Sequence, residues 1–151
     1  MKSRVRIRTA TAGDQPRLRA IAIAAKGHWG YPQPVVEAWA VADLTPESLA
    51  AKRVFVAEAG EQSVGWASLS GAGQVCVLDD LWIDPDWMGQ GIGSALFEHA
   101  AREAGESGAE RMEWEAEPNA SGFYAKMGGR YVRDSEPTVF GRVLAVMGVD
   151  V

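Results

Sequence analysis

Hydrophobic and polar residues alternate with a period of two at the start of the chain. In RVRIRTA, Val5 and Ile7 fall on one face and arginines on the other, which is typical of a half-buried strand. The alternation predicts a first strand from Ser3 to Thr9. Further on, apolar runs bounded by glycine or proline predict strands with short connections: RVFVAEA, SVGWASLS and VCVLDDLWIDP. These strands are expected to form an antiparallel meander.

Apolar residues recur at helical spacing between and after these strands. The first predicted helix begins after a capping Thr11 or Asp14, has Pro16 in its first turn and ends near Gly27. Its apolar stripe consists of Leu18, Ile21, Ala22 and Ala25. The same signals predict a helix around Val35, Val36 and Trp39, a short one that opens at Thr45 and Pro46, and the longest, from Ile92 to Gly105.

The last third of the chain returns to strands. RMEWEAE alternates with the period of a strand, and PNASGFYAKMGG has a proline at a helix start and two glycines at its end. The segments YVRD and TVFGRVLAVMGV predict one or two closing strands. The chain therefore ends with a strand, a short helix and further strands.

Composition limits the kind of protein this chain can be. With 151 residues, of which 47% are hydrophobic, it can fill one core, so we expect a single domain over residues 1–151. Because no apolar run approaches the length of a membrane span, we expect no membrane partner and a cytoplasmic location. The formal net charge of −5 argues against a nucleic-acid partner, which would need a basic face.

Cysteine and histidine are scarce. Cys76 is the only cysteine, which excludes an internal disulfide, and its apolar neighbours favour a small buried residue over a nucleophile. Histidine occurs only at His28 and His99, so a histidine metal site is not expected. We therefore expect no bound metal.

Glycines alternate in the segment DWMGQGIGSALFEHA, at Gly89, Gly91 and Gly93, between a strand and the longest helix. This order gathers backbone N–H groups and the positive end of the helix dipole, which favours an anion; the alternative is a tight turn alone. The spacing G-x-G-x-G differs from the dinucleotide fingerprint. No lysine between Lys52 and Lys126 could complete a mononucleotide loop.

Two longer segments carry a family resemblance. LWIDPDWMGQGIGSALFEHA resembles the acyl-CoA-binding motif of the GNAT superfamily of N-acyltransferases, and NASGFYAKMGGRYV is similar to the second motif of that family. The order of elements along nearly the whole chain also resembles the family. The resemblance implies an α/β fold of the α+β type, with a mixed, mostly antiparallel central sheet of six to seven strands flanked by about four helices. It implies acetyl-CoA as the cofactor and is compatible with a homodimer.

Carried over residue by residue, the resemblance implies two kinds of contact with the cofactor. Backbone groups of Leu81, Trp82 and Ile83 would pair with the pantetheine arm, an extended amide chain that can pair like another strand. Main-chain amides of the glycine loop, residues 89–94, would bind the pyrophosphate through Gly89, Gln90, Gly91, Ile92, Gly93 and Ser94.

Two positions depart from the family pattern. Met88 stands where the family has arginine or glutamine, so a side-chain phosphate contact is lost and binding would depend on the amides and the helix dipole. Asn119 lies two positions closer to Tyr124 than the asparagine of many members does. Either Asn119 or Glu117 is therefore expected to contact the cofactor.

Acetyl transfer from a thioester to an amine needs a base for the amine, stabilisation of the oxyanion and a proton for the leaving thiolate. Tyr124 is the candidate acid; the alternative is a core aromatic beside Phe123. Candidate bases are Asp79, Asp80, Glu113, Glu115 and Glu117, of which Asp80 and Glu115 are taken as catalytic. The alternating glutamates predict one shared strand face, which is often simply solvated.

Aromatic residues concentrate between the first two predicted helices, at His28, Trp29 and Tyr31. In proteins that resemble this one, that elbow lines the acceptor side; the alternative is packing between the helices. We therefore expect an N-acetyltransferase that acts by direct attack of a primary amine of a small-molecule acceptor on acetyl-CoA. The alternative is a catalytically inactive CoA-binding or ligand-sensing module of the same fold.

Overall fold

The computed structural model describes residues 5–138 and 141–151. Its strands are β1 (Arg6–Thr9), β2 (Arg53–Ala59), β3 (Gln62–Ser70), β4 (Val75–Ile83), β5 (Arg111–Ala116), β6 (Arg130–Asp134) and β7 (Ala145–Asp150). Ser3 at the start of the first predicted strand lies outside the described residues, and so do Val139 and Phe140 of the last predicted segment. The predicted meander is confirmed, since β2, β3 and β4 pair antiparallel.

The α-helices of the described residues are α1 (Gln15–His28), α2 (Gln33–Asp43), α3 (Pro46–Ala50), α4 (Ile92–Glu106) and α5 (Ser121–Lys126). Short 3-10 turns precede α1, the glycine loop and α5. Thr45 caps α3 by accepting a hydrogen bond from the Ser48 backbone N–H, as the Thr-Pro sequence predicts. No helix in this part of the chain combines the length and apolar character that a membrane span requires.

The strands form one seven-stranded sheet in the order β1-β2-β3-β4-β5-β7-β6. One hydrophobic core lies between the sheet and α4 with α5, and includes Leu96, Phe97 and Trp114. A second core lies on the other face, where α1 and α2 pack on β2 and β3, and includes Leu18, Val36 and Trp66. The expectation of a mixed, mostly antiparallel sheet covered by helices is confirmed, with five α-helices where about four were expected.

The sheet changes character between β4 and β5, which pair in parallel over three positions only. The last pair joins Val77 to Glu113. Beyond it β4 continues beside β3 and β5 continues beside β7, but the two strands no longer pair with each other. Since unpaired strand edges present backbone N–H and C=O groups, the downstream halves of β4 and β5 face each other with open edges.

Candidate active site

A cavity of about 460 Å³ opens where β4 and β5 part, between the sheet and the helices α1 and α2. Its lining mixes cationic and acidic side chains. The cations are Lys26, Lys52 and Arg142, and the carboxylates are Asp43, Asp79, Asp80, Glu115 and Glu117. Aromatic surface is contributed by Trp39 and Trp82. The cavity can therefore recognise charge and flat apolar surface together.

A β-bulge in β4 brings two aspartates to the cavity. Ser68 pairs with Asp80 and Leu69 with Leu78, so Asp79 is an extra residue in the strand. The bulge changes the phase of the alternation, and Asp79 and Asp80 therefore both line the cavity. Partial burial raises the pKa of the Asp79 carboxyl, while a hydrogen bond from Ser70 acts in the opposite direction.

Asp80 is almost fully buried and has three partners. Its Oδ2 accepts a hydrogen bond from the Ser68 hydroxyl at 2.6 Å and lies 3.5 Å from Nζ of Lys52. Its Oδ1 accepts from Nε1 of Trp82 at 3.2 Å. These bonds satisfy a buried carboxylate and fix the Trp82 ring. The predicted catalytic Asp80 thus lies in the cavity but is held by its neighbours.

The glutamates of β5 divide into different roles. Glu113 is buried and forms salt bridges with Arg111 at 2.6 Å and Arg133 at 2.9 Å, so its carboxylate belongs to a structural ion-pair cluster. These arginines lower the pKa of Glu113 against the opposing effect of burial. Glu115 lines the cavity and forms no salt bridge within residues 5–138 and 141–151.

Tyr31, in the elbow between α1 and α2, joins distant parts of the chain. Its hydroxyl donates to Oε1 of Glu117 at 2.6 Å and accepts from Nη1 of Arg142 at 2.8 Å. Nη1 of Arg142 also lies 3.8 Å from Oε2 of Glu117. Asn119, a predicted cofactor residue, donates from Nδ2 to Oε1 of Glu117 at 2.9 Å. Of these side chains Glu117 and Arg142 line the cavity, and Tyr31 and Asn119 hold them from behind.

Lys26 lies beside three aromatic rings. Its Nζ is 4.3 Å from the ring centroid of Trp39, 5.0 Å from that of Tyr31 and 5.9 Å from that of Trp82. Trp29 packs behind Trp82, with 5.8 Å between their ring centroids. His28 is exposed at the end of α1 and does not line the cavity. None of the three predicted elbow residues lines the cavity, but Trp29 and Tyr31 contact residues that do.

Tyr124 lies in α5, is 8% exposed and packs against Trp114 with 5.1 Å between ring centroids. No described residue forms a hydrogen bond with its hydroxyl. Burial, and then the negative charges of Glu117 and Asp80, raise the pKa of Tyr124, so the phenol is neutral at physiological pH. The hydroxyl is therefore protonated and available as a donor.

The glycine loop leads directly into α4. Gly89 and Gly91 have φ of 78° and 83°, in the left-handed region that favours glycine, and Gly91 is the N-cap residue of α4. Gly93 has no such requirement, and a Cβ there would make ordinary contact with the Phe123 ring at 3.5 Å. The first-turn N–H groups of Ile92, Gly93 and Ser94 lie at the positive end of the helix dipole, and Gly91 has no side chain that could cap them.

Sequence reasoning missed Lys26, Lys52, Trp39 and Arg142 as residues of the cavity. Lys26 carried a signal, because it lies four positions after Ala22 and so extends the apolar stripe of α1 with a cation. No sequence signal pointed to Arg142, because its hydrogen-bond partner Tyr31 lies 111 positions away in the chain. The side chains of the three β4 residues predicted to contact the cofactor lie on opposite faces of the sheet. Trp82 lies on the cavity side, whereas Leu81 and Ile83 pack toward the core under α4.

Comparison with known proteins identifies related sequences. A family model described as an acetyltransferase (GNAT) domain matches residues 50–128, which include the glycine loop and Tyr124. The chain is 39% identical over 103 residues to the peptidyl-lysine N-acetyltransferase YjaB of Salmonella typhimurium. That alignment covers 68% of this chain and 64% of the relative, so the chain matches less than two thirds of the relative's length.

Solved structures share the fold over the whole chain. The GCN5-related N-acetyltransferase of Rhodopseudomonas palustris has a TM-score of 0.84 at 26% identity, and the match covers 100% of this chain and 98% of that one. The PaiA N-acetyltransferase of Thermoplasma acidophilum, solved in complex with coenzyme A, has a TM-score of 0.82 at 18% identity. The latter match covers 98% of this chain and 99% of that one.

Proposed function

Because this chain belongs to the GNAT family of acetyltransferases, we propose that it transfers the acetyl group of acetyl-CoA to a primary amine of a small-molecule acceptor. We infer from the family that the reaction is an acyl-CoA-dependent N-acetyl transfer with acetyl-CoA as co-substrate.

The residues present fit coenzyme A. Gly91 provides an N-cap without a side chain, so a phosphate can approach the first-turn N–H groups of α4. We assign the pyrophosphate to the glycine loop and the pantetheine arm to the open edge of β4 at residues 81–83, which β5 leaves unpaired. When bound, acetyl-CoA supplies an activated acetyl thioester at the point where the strands part.

Glu115 and Tyr124 are assigned as base and acid. Glu115 lies in the cavity without a salt bridge among the described residues, so its carboxylate can accept a proton from the acceptor ammonium. Asp80 is less suited because its oxygens already bind Ser68, Lys52 and Trp82. Tyr124 holds its proton at neutral pH and can donate it, or a hydrogen bond, to the leaving thiolate.

The shape of the cavity carries the proposal of a small acceptor. The Tyr31, Glu117 and Arg142 side chains join the α1–α2 elbow to the end of β5 and the C-terminal segment, which walls the cavity on that side. A volume of about 460 Å³ is in the range of small-molecule sites. A lysine on the surface of a folded protein would instead need an open groove along the strands.

A second candidate acceptor is a lysine side chain in a peptide. It is favoured by the 39% identity with a peptidyl-lysine N-acetyltransferase. Such an acceptor presents the same alkyl amine, so the chemistry at Glu115 and Tyr124 would be unchanged. The difference lies in what surrounds the amine.

Release of free CoA from acetyl-CoA tests the proposal. We would measure it with a panel of monoamines, diamines, amino acids and aminoglycosides, and with lysine-containing peptides of matched charge. The proposal expects kcat/KM for the best small amine to exceed that of every peptide by at least about tenfold. A higher kcat/KM for peptides would show that the acceptor is peptidyl-lysine and not a small amine. Binding of acetyl-CoA without turnover on any amine would leave a CoA-binding module.

A further inference from the structure

Lys26 brings an alkyl ammonium of the protein itself into the acceptor cavity. It projects from α1, lines the cavity and lies within 4.3 to 5.9 Å of the ring centroids of Trp39, Tyr31 and Trp82. A cation over ring faces at these distances is held by the ring quadrupoles. The aromatic wall therefore already shows how a lysine side chain fits this cavity.

The other two cations of the cavity are paired. Lys52 lies 3.5 Å from Asp80, and Arg142 lies 3.8 Å from Glu117 and donates to Tyr31. Lys26 forms no salt bridge with any carboxylate in residues 5–138 and 141–151. Its amine is thus the cavity cation that no ion pair holds in place.

Lys26 lies on the side of the cavity next to the strand that the proposed function assigns to the acetyl donor. Trp82, one of its three rings, follows Leu81 on the strand edge that we assign to the pantetheine arm. Asp79 and Glu115, which line the same cavity, lie just beyond the last pair of β4 with β5. Lys26 and these two carboxylates therefore share one cavity, and rotation of the flexible lysine side chain within that cavity is the movement that the inference requires.

We propose that Lys26 is an internal acceptor, acetylated by the same catalytic centre when no external amine occupies the cavity. This inference rests on the proposed function. The neutral amine of Lys26 attacks the thioester carbonyl, a carbon–nitrogen bond forms and the carbon–sulfur bond breaks. The proton lost by nitrogen goes to a cavity carboxylate, and the leaving thiolate takes a proton from Tyr124 or water. The products are acetyl-Lys26 and free CoA.

The electrostatic environment supports this chemistry. Burial lowers the pKa of Lys26, with Arg142 acting in the same direction and the carboxylates of Glu117 and Asp43 acting against it. A lysine with a lowered pKa has a larger neutral fraction near pH 7 than an exposed lysine, and only the neutral amine is nucleophilic.

Mass spectrometry of the full chain tests the inference. Purified protein is incubated with acetyl-CoA and no acceptor, and acetylation is followed at each lysine of the chain: Lys2, Lys26, Lys52 and Lys126. Acetyl-Lys26 is expected to form at least about tenfold faster than acetyl-Lys126, an exposed lysine outside the cavity, because a positioned amine reacts at high effective molarity. Its rate constant is expected not to change with protein concentration.

Matched variants and a competitor complete the test. Lys26→Arg is expected to abolish the fast acetylation, whereas Lys126→Arg retains it. An external amine that is itself acetylated is expected to slow the reaction at Lys26, since both need the cavity. Acetylation of Lys26 no faster than that of Lys126 overturns the inference, and so does a rate that an external acceptor leaves unchanged. CoA release with added amines then shows separately whether the proposed function stands.

Discussion

The Tyr31 hydroxyl donates a 2.6 Å hydrogen bond to Glu117, which ties the elbow between α1 and α2 to the end of β5. Burial, and then this hydrogen bond to a carboxylate, raise the pKa of Tyr31, so the phenol holds its proton more tightly. The same hydroxyl accepts from Arg142. One oxygen therefore joins three segments around the cavity.

Removal of that oxygen should loosen the cavity wall. Tyr31→Phe keeps the ring beside Lys26 but breaks both hydrogen bonds, so we expect KM for the acceptor to rise several-fold while kcat changes less. The free energy of unfolding should fall by about 1 kcal/mol. Steady-state kinetics with the best acceptor and urea unfolding measure the two effects. An unchanged KM would show that this wall does not touch the acceptor.

Glu115 is expected to remove the proton of the acceptor. Glu115→Gln keeps the shape of the side chain but not its basicity, so kcat should fall by roughly 10²-fold while the Kd of acetyl-CoA stays the same. Glu110→Gln, an exposed change just before β5, is the matched control. Equal turnover of the two variants would assign the base to another group.

Tyr124 is expected to act as the proton donor. Tyr124→Phe should lower kcat by roughly 10²-fold with little change in acetyl-CoA affinity. Because no described residue hydrogen-bonds to this hydroxyl, its loss should change the free energy of unfolding by less than about 1 kcal/mol. Tyr131→Phe, on the exposed strand β6, serves as the control. The finding that would contradict the role is full activity of Tyr124→Phe in single-turnover measurements.

Gly91 tests the pyrophosphate assignment. Gly91→Ala places a Cβ on a residue with φ of 83°, so we expect the free energy of unfolding to fall by about 1–2 kcal/mol. We also expect weaker binding of acetyl-CoA, measured as a higher Kd. Gly108→Ala introduces the same strain at φ of 98°, beyond the other end of α4. Calorimetric titration should show a raised Kd for the first variant alone. A similar Kd for both variants would contradict the assignment of the pyrophosphate to the glycine loop.

Asp14 links stability to pH away from the active site. Its carboxylate accepts 2.8 Å hydrogen bonds from Arg8, which hold its pKa well below the ordinary range. A carboxyl with a lowered folded-state pKa stabilises the protein fully above its unfolded pKa of about 4, and the contribution declines below that value until the pH has fallen through the folded-state pKa. Urea unfolding should therefore show Asp14→Asn less stable than wild type by about 1 kcal/mol at pH 7, with a narrower gap at pH 3.

The control for this comparison is Asp86→Asn, because the Asp86 carboxylate forms no salt bridge with any residue that the structure describes. Its stability should follow that of wild type at both pH values. A gap for Asp14→Asn that is as wide at pH 3 as at pH 7 would mean that the charge of Asp14 is not what stabilises the fold.

Local features of this protein could be read from its sequence. The Thr45 cap, the buried stripe of α1 and the turn at Gly91 each depend on residues only a few positions apart. The glycine loop and the motif around Tyr124 likewise lie within short segments, so the sequence was enough to predict the family and acetyl-CoA as the acetyl donor. Short-range hydrogen bonds and side-chain periodicity determine such features before any tertiary contact forms.

Only the tertiary structure decided which residues line the cavity. An alternating strand predicts that Asp79 and Asp80 point to opposite faces, but the register of β4 against β3 inserts a bulge that brings both to the cavity. Arg142 reaches Tyr31 across 111 positions, and Lys26 meets its rings only after α1, α2 and β4 have packed together. Register and packing sum many weak contacts over the whole chain, and no short segment of sequence contains them.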